Sequence, residues 1–179
     1  MIAPATDAGK IAAVDRTVAQ GDTVALGAYT ANVIDVGGHT LGHCAYHLPQ
    51  AATAFVGDAL FPLGCGRMFE GTPDQFWASL SRLKALPPAT TLYSAHEYTQ
   101  SNARFALFAD PDNAALMAYA AEVDARREQG QWTVPTTLEA ELAANPFLRA
   151  DIADMAERWG GNSPVETFAA LRAAKDTFR

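Results

Sequence analysis

A chain of 179 residues, 49% apolar and 18% charged, can build one large folded domain or two small ones and is too apolar to be disordered. Its net charge of −7, with no block of Lys and Arg, excludes nucleic acid as a partner and leaves room for an anionic small ligand only where a few cations gather. Two cysteines, Cys44 and Cys65, make no disulfide framework. No basic-then-apolar leader opens the chain, and no apolar run nears the roughly 20 residues that span a bilayer, so a reduced, cytoplasmic protein without membrane contact is expected.

In chain order, residues up to about 97 read as strands and loops with one helix. Short runs bounded by turn residues predict strands at Thr30–Val36, Cys44–Leu48, Thr53–Asp58 and Thr90–His96. Between the last two, Thr72 as cap, Pro73 at the first position and Gln75 completing a capping box predict a helix. Phe76, Leu80 and Leu83 share its inner face, and Pro87-Pro88 stops it. Beyond residue 98 the pattern is helical. "NAALMAYAAEVDARREQG" places Leu116, Ala120 and Val123 on one face, with Gly130 as its stop. Thr136 with Glu139, and Ser163-Pro164 with Glu166, read as two further capping boxes, the second opening a helix through about Phe178. The expected organisation is an α/β part (1–97) followed by an all-helical part (98–179).

Four histidines stand out. His39 follows the strand ending near Val36, Asp58 follows the strand ending near Val56, and His96 ends the strand from Thr91. If these strands are parallel neighbours, the three side chains share one sheet edge, where α/β proteins place ligands. Two imidazoles and a carboxylate suit zinc, iron or manganese, and a carboxylate can bridge two metals. Three residues are too few for a closed site. His43, in the glycine-bounded loop, is expected to hydrogen-bond behind the ligands, and His47 to point elsewhere.

The stretches "GGHTLGH", "FVGDALFPLGCGRMFEG", "SAHEYT" and "TVPTTLEAELAANPFLR" resemble glyoxalase II, the hydroxyacylglutathione hydrolase family of the metallo-β-lactamase superfamily. The likeness runs from about Ile11 to Phe178. The first three motifs occur in looser form across several metallo-hydrolases. The GCGRMFEG, HEYT and TVP…NPFLR segments together are more specific. A persulfide dioxygenase, using one iron, is a weaker rival because it should lack the TVP…NPFLR helical region.

The resemblance implies a thioester hydrolase with two zinc ions, or an iron/zinc pair, acting on S-D-lactoylglutathione to give glutathione and D-lactate in methylglyoxal detoxification. It implies that His39, Asp58 and His96 are metal ligands, with Asp58 bridging the ions and orienting a metal-bound hydroxide. It also implies that Arg67, Met68, Phe69, Tyr98, Arg172 and Lys175 contact glutathione, and that the intact protein is a monomer. Arg172 and Lys175, three apart, share a helix face and near Arg67 would form a cationic patch for carboxylates. Many members carry Lys and Tyr where this chain has Arg67 and Phe69. The family's THxHxDH motif, which supplies the remaining metal ligands, does not occur in this sequence. The expectation is therefore the second half of an αββα sandwich plus helices, with an incomplete metal site and an apolar sheet face left exposed. It is either part of a longer enzyme or a remnant that binds glutathione conjugates without turnover.

Overall fold

A computed structural model describes residues 1–178; the final residue of the 98–179 part, Arg179, lies outside the described residues. A six-stranded sheet carries the site. Its order is β10 (Thr136–Thr137), β9 (Thr91–Ser94), β6 (Thr53–Gly57), β5 (Cys44–Leu48), β4 (Tyr29–Asp35) and β3 (Thr23–Leu26). The pairings β3–β4, β4–β5, β5–β6 and β9–β10 are antiparallel, and β6–β9 is parallel. Strands β4, β6 and β9 therefore run the same way and end at one edge, as the placement of His39, Asp58 and His96 required. They are not all neighbours, because β5 lies between β4 and β6. Two short sheets complete the strands: β1 (Ile2–Pro4) with β2 (Arg16–Val18), and the hairpin β7 (Leu60–Phe61) with β8 (Gly64–Cys65).

Alternation decides what each sheet face does. One face sends Ile34, Ala45, Ala54 and Leu92 into a core shared with α1 (Pro73–Lys84) and α6 (Pro164–Thr177). Phe76, Leu80 and Leu83 of α1 are fully buried there, each stabilising by about 1.5–3 kcal/mol. The other face presents the cross-strand ladder Val33, Tyr46, Phe55 and Tyr93. Phe55 and Tyr93 stack with ring centroids 5.3 Å apart and stay 44% and 39% exposed, so this end of the face is apolar and open, while Val33 is buried.

The remaining helices are α2 (Thr99–Ala109), α3 (Ala114–Glu128), α4 (Leu138–Ala144) and α5 (Ala153–Trp159). The Thr72 side chain caps α1 by accepting from the Gln75 N–H, and Ser163 caps α6 by accepting from the Glu166 N–H. One cap differs from expectation. Thr137, not Thr136, caps α4 by accepting from the Ala140 N–H. Thr136 is instead drawn into β10, where its backbone pairs with β9 and its hydroxyl donates to buried Glu141. Strand β10 also brings a piece of the later half onto the sheet edge beside β9.

Candidate functional site

His39 leaves the turn after β4, Asp58 follows β6 directly, and His96 follows β9. At this edge the Asp58 carboxylate stands between the two imidazoles. Oδ2 lies 3.9 Å from His39 Nε2, and Oδ1 lies 3.4 Å from His96 Nε2. The Arg67 carbonyl, an acceptor only, lies 2.8 Å from His39 Nδ1 and so fixes the proton there. That leaves the His39 Nε2 lone pair facing Asp58, the orientation a metal-binding imidazole needs. The Asp58 backbone N–H donates to His43 Nε2 at 3.0 Å. Burial holds His43 below its ordinary value, in keeping with a neutral ring that accepts this bond. His43 therefore sits behind Asp58, while His47 is buried within β5.

Two glycines make the approach possible. Gly57, at φ +55°, turns the chain out of β6 where any Cβ would strike His43 Nε2. At Gly66 a Cβ would collide with the Asp58 carbonyl oxygen, so this glycine lets the loop fold back onto the metal-facing turn.

Among the described residues no group of three or more His, Cys, Asp or Glu side chains closes into one metal cage. The Asp58 carboxylate instead turns one oxygen toward each ring, an arrangement a bridging carboxylate would take. One Asp58 oxygen faces each imidazole, so His39 and His96 fit two different ions, with two donors from this chain on each. A four-coordinate site needs further ligands.

The same edge opens into a cavity of about 630 Å³. His39, Asp58 and His96 form one wall. Arg67, Phe69, Tyr98, Arg172 and Lys175 line the rest, together with Phe61, Cys65, Gly66, Ser101, Asn102 and Phe178. Met68 does not reach it and packs against the hydrophobic core instead. Phe69 rests on His39 at 5.0 Å between ring centroids, and Tyr98 stacks on His96 at 5.1 Å and meets Phe61 at 5.2 Å.

The cations of this wall are not alike. Arg67 is exposed. Arg172 is 3% exposed and is no free surface charge: Nη1 donates to the carbonyls of Cys65 (3.1 Å) and Gly66 (3.2 Å), and Nη2 donates to Asp176 at 2.9 Å. Its guanidinium pins the loop that bears Arg67, a role helix spacing could not reveal. Lys175 donates to the Ser101 carbonyl at 3.2 Å. Burial first, then the nearby Arg172 and Arg104, lowers its ammonium to about 8. Burial also pushes the Cys65 thiol up to about 11 despite Arg172 beside it, so Cys65 is a packed thiol and no nucleophile.

Sequence reasoning missed Phe61, Ser101, Asn102 and Phe178 as cavity residues. Phe61 lies inside the motif stretch already singled out, which was its one available signal.

A family profile described as "Hydroxyacylglutathione hydrolase C-terminus" matches residues 97–178. A protein of Erythrobacter litoralis named hydroxyacylglutathione hydrolase is 63% identical over 178 residues, 99% of this chain and 70% of that protein. One from Hyphomonas neptunium with the same name is 54% identical, with the same coverage of each. Among solved structures, ETHE1 from Myxococcus xanthus matches with TM-score 0.57 at 24% identity, over 97% of this chain and 64% of that one. The BLEG-1 B3 metallo-beta-lactamase matches with TM-score 0.52 at 22% identity, over 75% and 49%. These two likenesses show the metallo-β-lactamase fold. The identity to the named relatives shows more, and the chain belongs to the hydroxyacylglutathione hydrolase family.

Proposed function

We propose that the chain serves hydrolysis of the thioester S-D-lactoylglutathione to glutathione and D-lactate, in the cytoplasmic removal of methylglyoxal. The observation that carries this reading is the single cavity in which the His39–Asp58–His96 wall faces a wall of cations and aromatic rings. Glutathione has two carboxylates and a peptide backbone. Arg67 and Lys175 offer charge-assisted bonds to the carboxylates, and Phe69, Tyr98 and Phe61 offer apolar surface to the peptide. The thioester then reaches toward Asp58.

His39 and His96 would each hold one ion, zinc or an iron/zinc pair, and Asp58 would bridge them. Bound ions of this kind lower the pKa of water and stabilise an oxyanion. The chain's own contribution is orientation. The Arg67 carbonyl fixes His39, His43 fixes the Asp58 backbone, and the aromatic rings exclude water from the acyl group.

A second reading, glutathione-conjugate binding without turnover, is favoured by one observation: the chain supplies only two donors per ion. Metal analysis and S-D-lactoylglutathione hydrolysis separate the two, comparing this chain with a version joined to a THxHxDH-bearing segment. The hydrolase reading expects about two metals and turnover in the joined form. Turnover in neither form would overturn it. Glutathione binding that is lost in Arg172→Ala, with no turnover even in the joined form, would establish the second reading.

A further inference from the structure

The TVP…NPFLR segment contributes nothing to the cavity surface, yet two of its side chains reach across to the loop that does. The β7–β8 hairpin turns at Pro62-Leu63. Leu63, fully buried, sits at φ +57°, a left-handed conformation that costs a bulky residue on the order of 1–3 kcal/mol. Such strain persists only where the surroundings over-determine it, and here they do. The Leu63 N–H donates to Glu141 Oε2 at 2.8 Å. Asn145 Nδ2 donates to the Gly64 carbonyl at 3.0 Å, to the Phe61 carbonyl at 3.3 Å and to Glu141 Oε2 at 3.0 Å. Asn102 of α2 donates to the Pro62 carbonyl at 3.1 Å.

Glu141 and Asn145 are both 0% exposed. The other Glu141 oxygen is occupied as well, accepting from Thr136 Oγ1 at 2.9 Å and from Tyr119 OH at 3.2 Å. Burial pushes the Glu141 carboxyl up to about 7, and these donated bonds act against that rise. The hairpin so held carries Phe61, which touches Tyr98, and leads directly into Gly66 and Arg67.

We propose that Glu141 and Asn145 are positioning residues for ligand binding: from 78 and 81 residues away they clamp the strained Leu60–Cys65 hairpin, so that the Phe61 and Arg67 parts of the cavity wall stand preformed. The inference rests on the glutathione reading only for the identity of the ligand. Beside their bonds to nearer residues, among them the Phe147 N–H donating to Asn145 Oδ1 at 3.0 Å, three bonds of this buried carboxylate and amide go to the distant turn and tie it to α4.

The test combines amide hydrogen exchange with calorimetric titration of S-methylglutathione, on the unmodified chain, Glu141→Ala and Glu141→Gln. Gln keeps an acceptor for Leu63, and Thr136 can rotate its hydroxyl to accept from the new amide. Glu141→Ala should speed exchange of the Leu63–Gly66 amides at least tenfold more than that of Val123 in α3, and weaken S-methylglutathione at least tenfold. Glu141→Gln should restore most of both. Equal acceleration at Leu63 and Val123, or a loosened hairpin with unchanged affinity, overturns the positioning role. If the unmodified chain binds no S-methylglutathione, the glutathione reading falls, and the clamp is then decided by the exchange contrast alone. If Glu141→Ala does not fold, Glu141→Gln and Asn145→Ala carry the same contrast.

Discussion

The wall bearing His39, Asp58 and His96 and the wall bearing Arg67, Arg172 and Lys175 face one cavity, but different forces hold them. On the metal-facing side the Asp58 and His96 side chains are 28% and 52% exposed, and one carboxylate is shared between two imidazoles 3.4 and 3.9 Å away. On the ligand side Arg172, Glu141, Asn145 and Asn102 are all buried, and their bonds converge on the backbone from Phe61 to Gly66. Coordination chemistry needs donors from several places, and under the proposed reading this chain would bring two per ion. Carboxylate recognition needs a rigid cationic surface, and under the proposed reading Arg67 and Lys175 supply its charges beside the buried Arg172. The binding wall should therefore work when the metal-facing wall does not.

The largest expected effect breaks the ligand wall. Arg172→Ala leaves the Cys65 and Gly66 carbonyls unpaired in a buried place. It should cost about 3 kcal/mol, lower the melting temperature by roughly 6–12 °C and abolish S-methylglutathione binding, read by calorimetry and titration. Unchanged melting would mean that the loop is held by other means.

Asp58→Asn addresses the opposite wall. In the form joined to a THxHxDH-bearing segment it should remove nearly all bound zinc, measured by elemental analysis, while leaving S-methylglutathione affinity within about threefold, a difference under 1 kcal/mol. Loss of both together would merge the two walls into one functional unit.

A smaller effect follows from Lys175. Its ordinary value of 10.5 is lowered to about 8, so its charge is present below pH 8 and lost above it. Binding of a carboxylate ligand should weaken several-fold as pH rises from 7 to 9, and Lys175→Arg should remove that step, because arginine stays charged. The stability term runs the other way. Between about 8 and 10.5 the unfolded chain binds the extra proton, so this lysine's contribution to stability grows with pH. The groups that face Lys175 are Arg172 on its own helix, Arg104 on α2, and Arg67 and Cys65 in the loop. The smallest effect belongs to Phe69→Tyr. A hydroxyl on this exposed ring should tighten S-methylglutathione by a few-fold, the worth of about one net hydrogen bond.

What the sequence disclosed about these walls follows a physical line. Helices α1 and α6 were read from local signals, and each has a side-chain cap three residues from its partner N–H. Helices α2 and α5 open at Tyr98 and Ile152 without any side-chain cap bond, and the sequence marks neither as a separate helix. Strands β4, β5, β6 and β9 showed as apolar runs because one of their faces is core. Strands β1, β2 and β3 are short and mostly exposed, and left no such pattern. Thr136 and Thr137 are both plausible caps by composition, and only the pairing with β9 assigns them. That His39, Asp58 and His96 meet at one edge was legible because strand ends carry them. The support of the ligand wall was not, since the bonds from Glu141 to Leu63 and from Arg172 to Cys65 span 78 and 107 residues. Sequence spacing is silent at that range.

Under the proposed function, this chain carries a complete, preformed glutathione-binding wall independent of its metal donors. The direct test is calorimetric titration of S-methylglutathione into the metal-free chain at pH 7, repeated after zinc is added. A preformed wall gives saturable binding of one ligand per chain, with affinities that agree within about threefold. Binding that appears only once zinc is present, or no binding in either case, would contradict it.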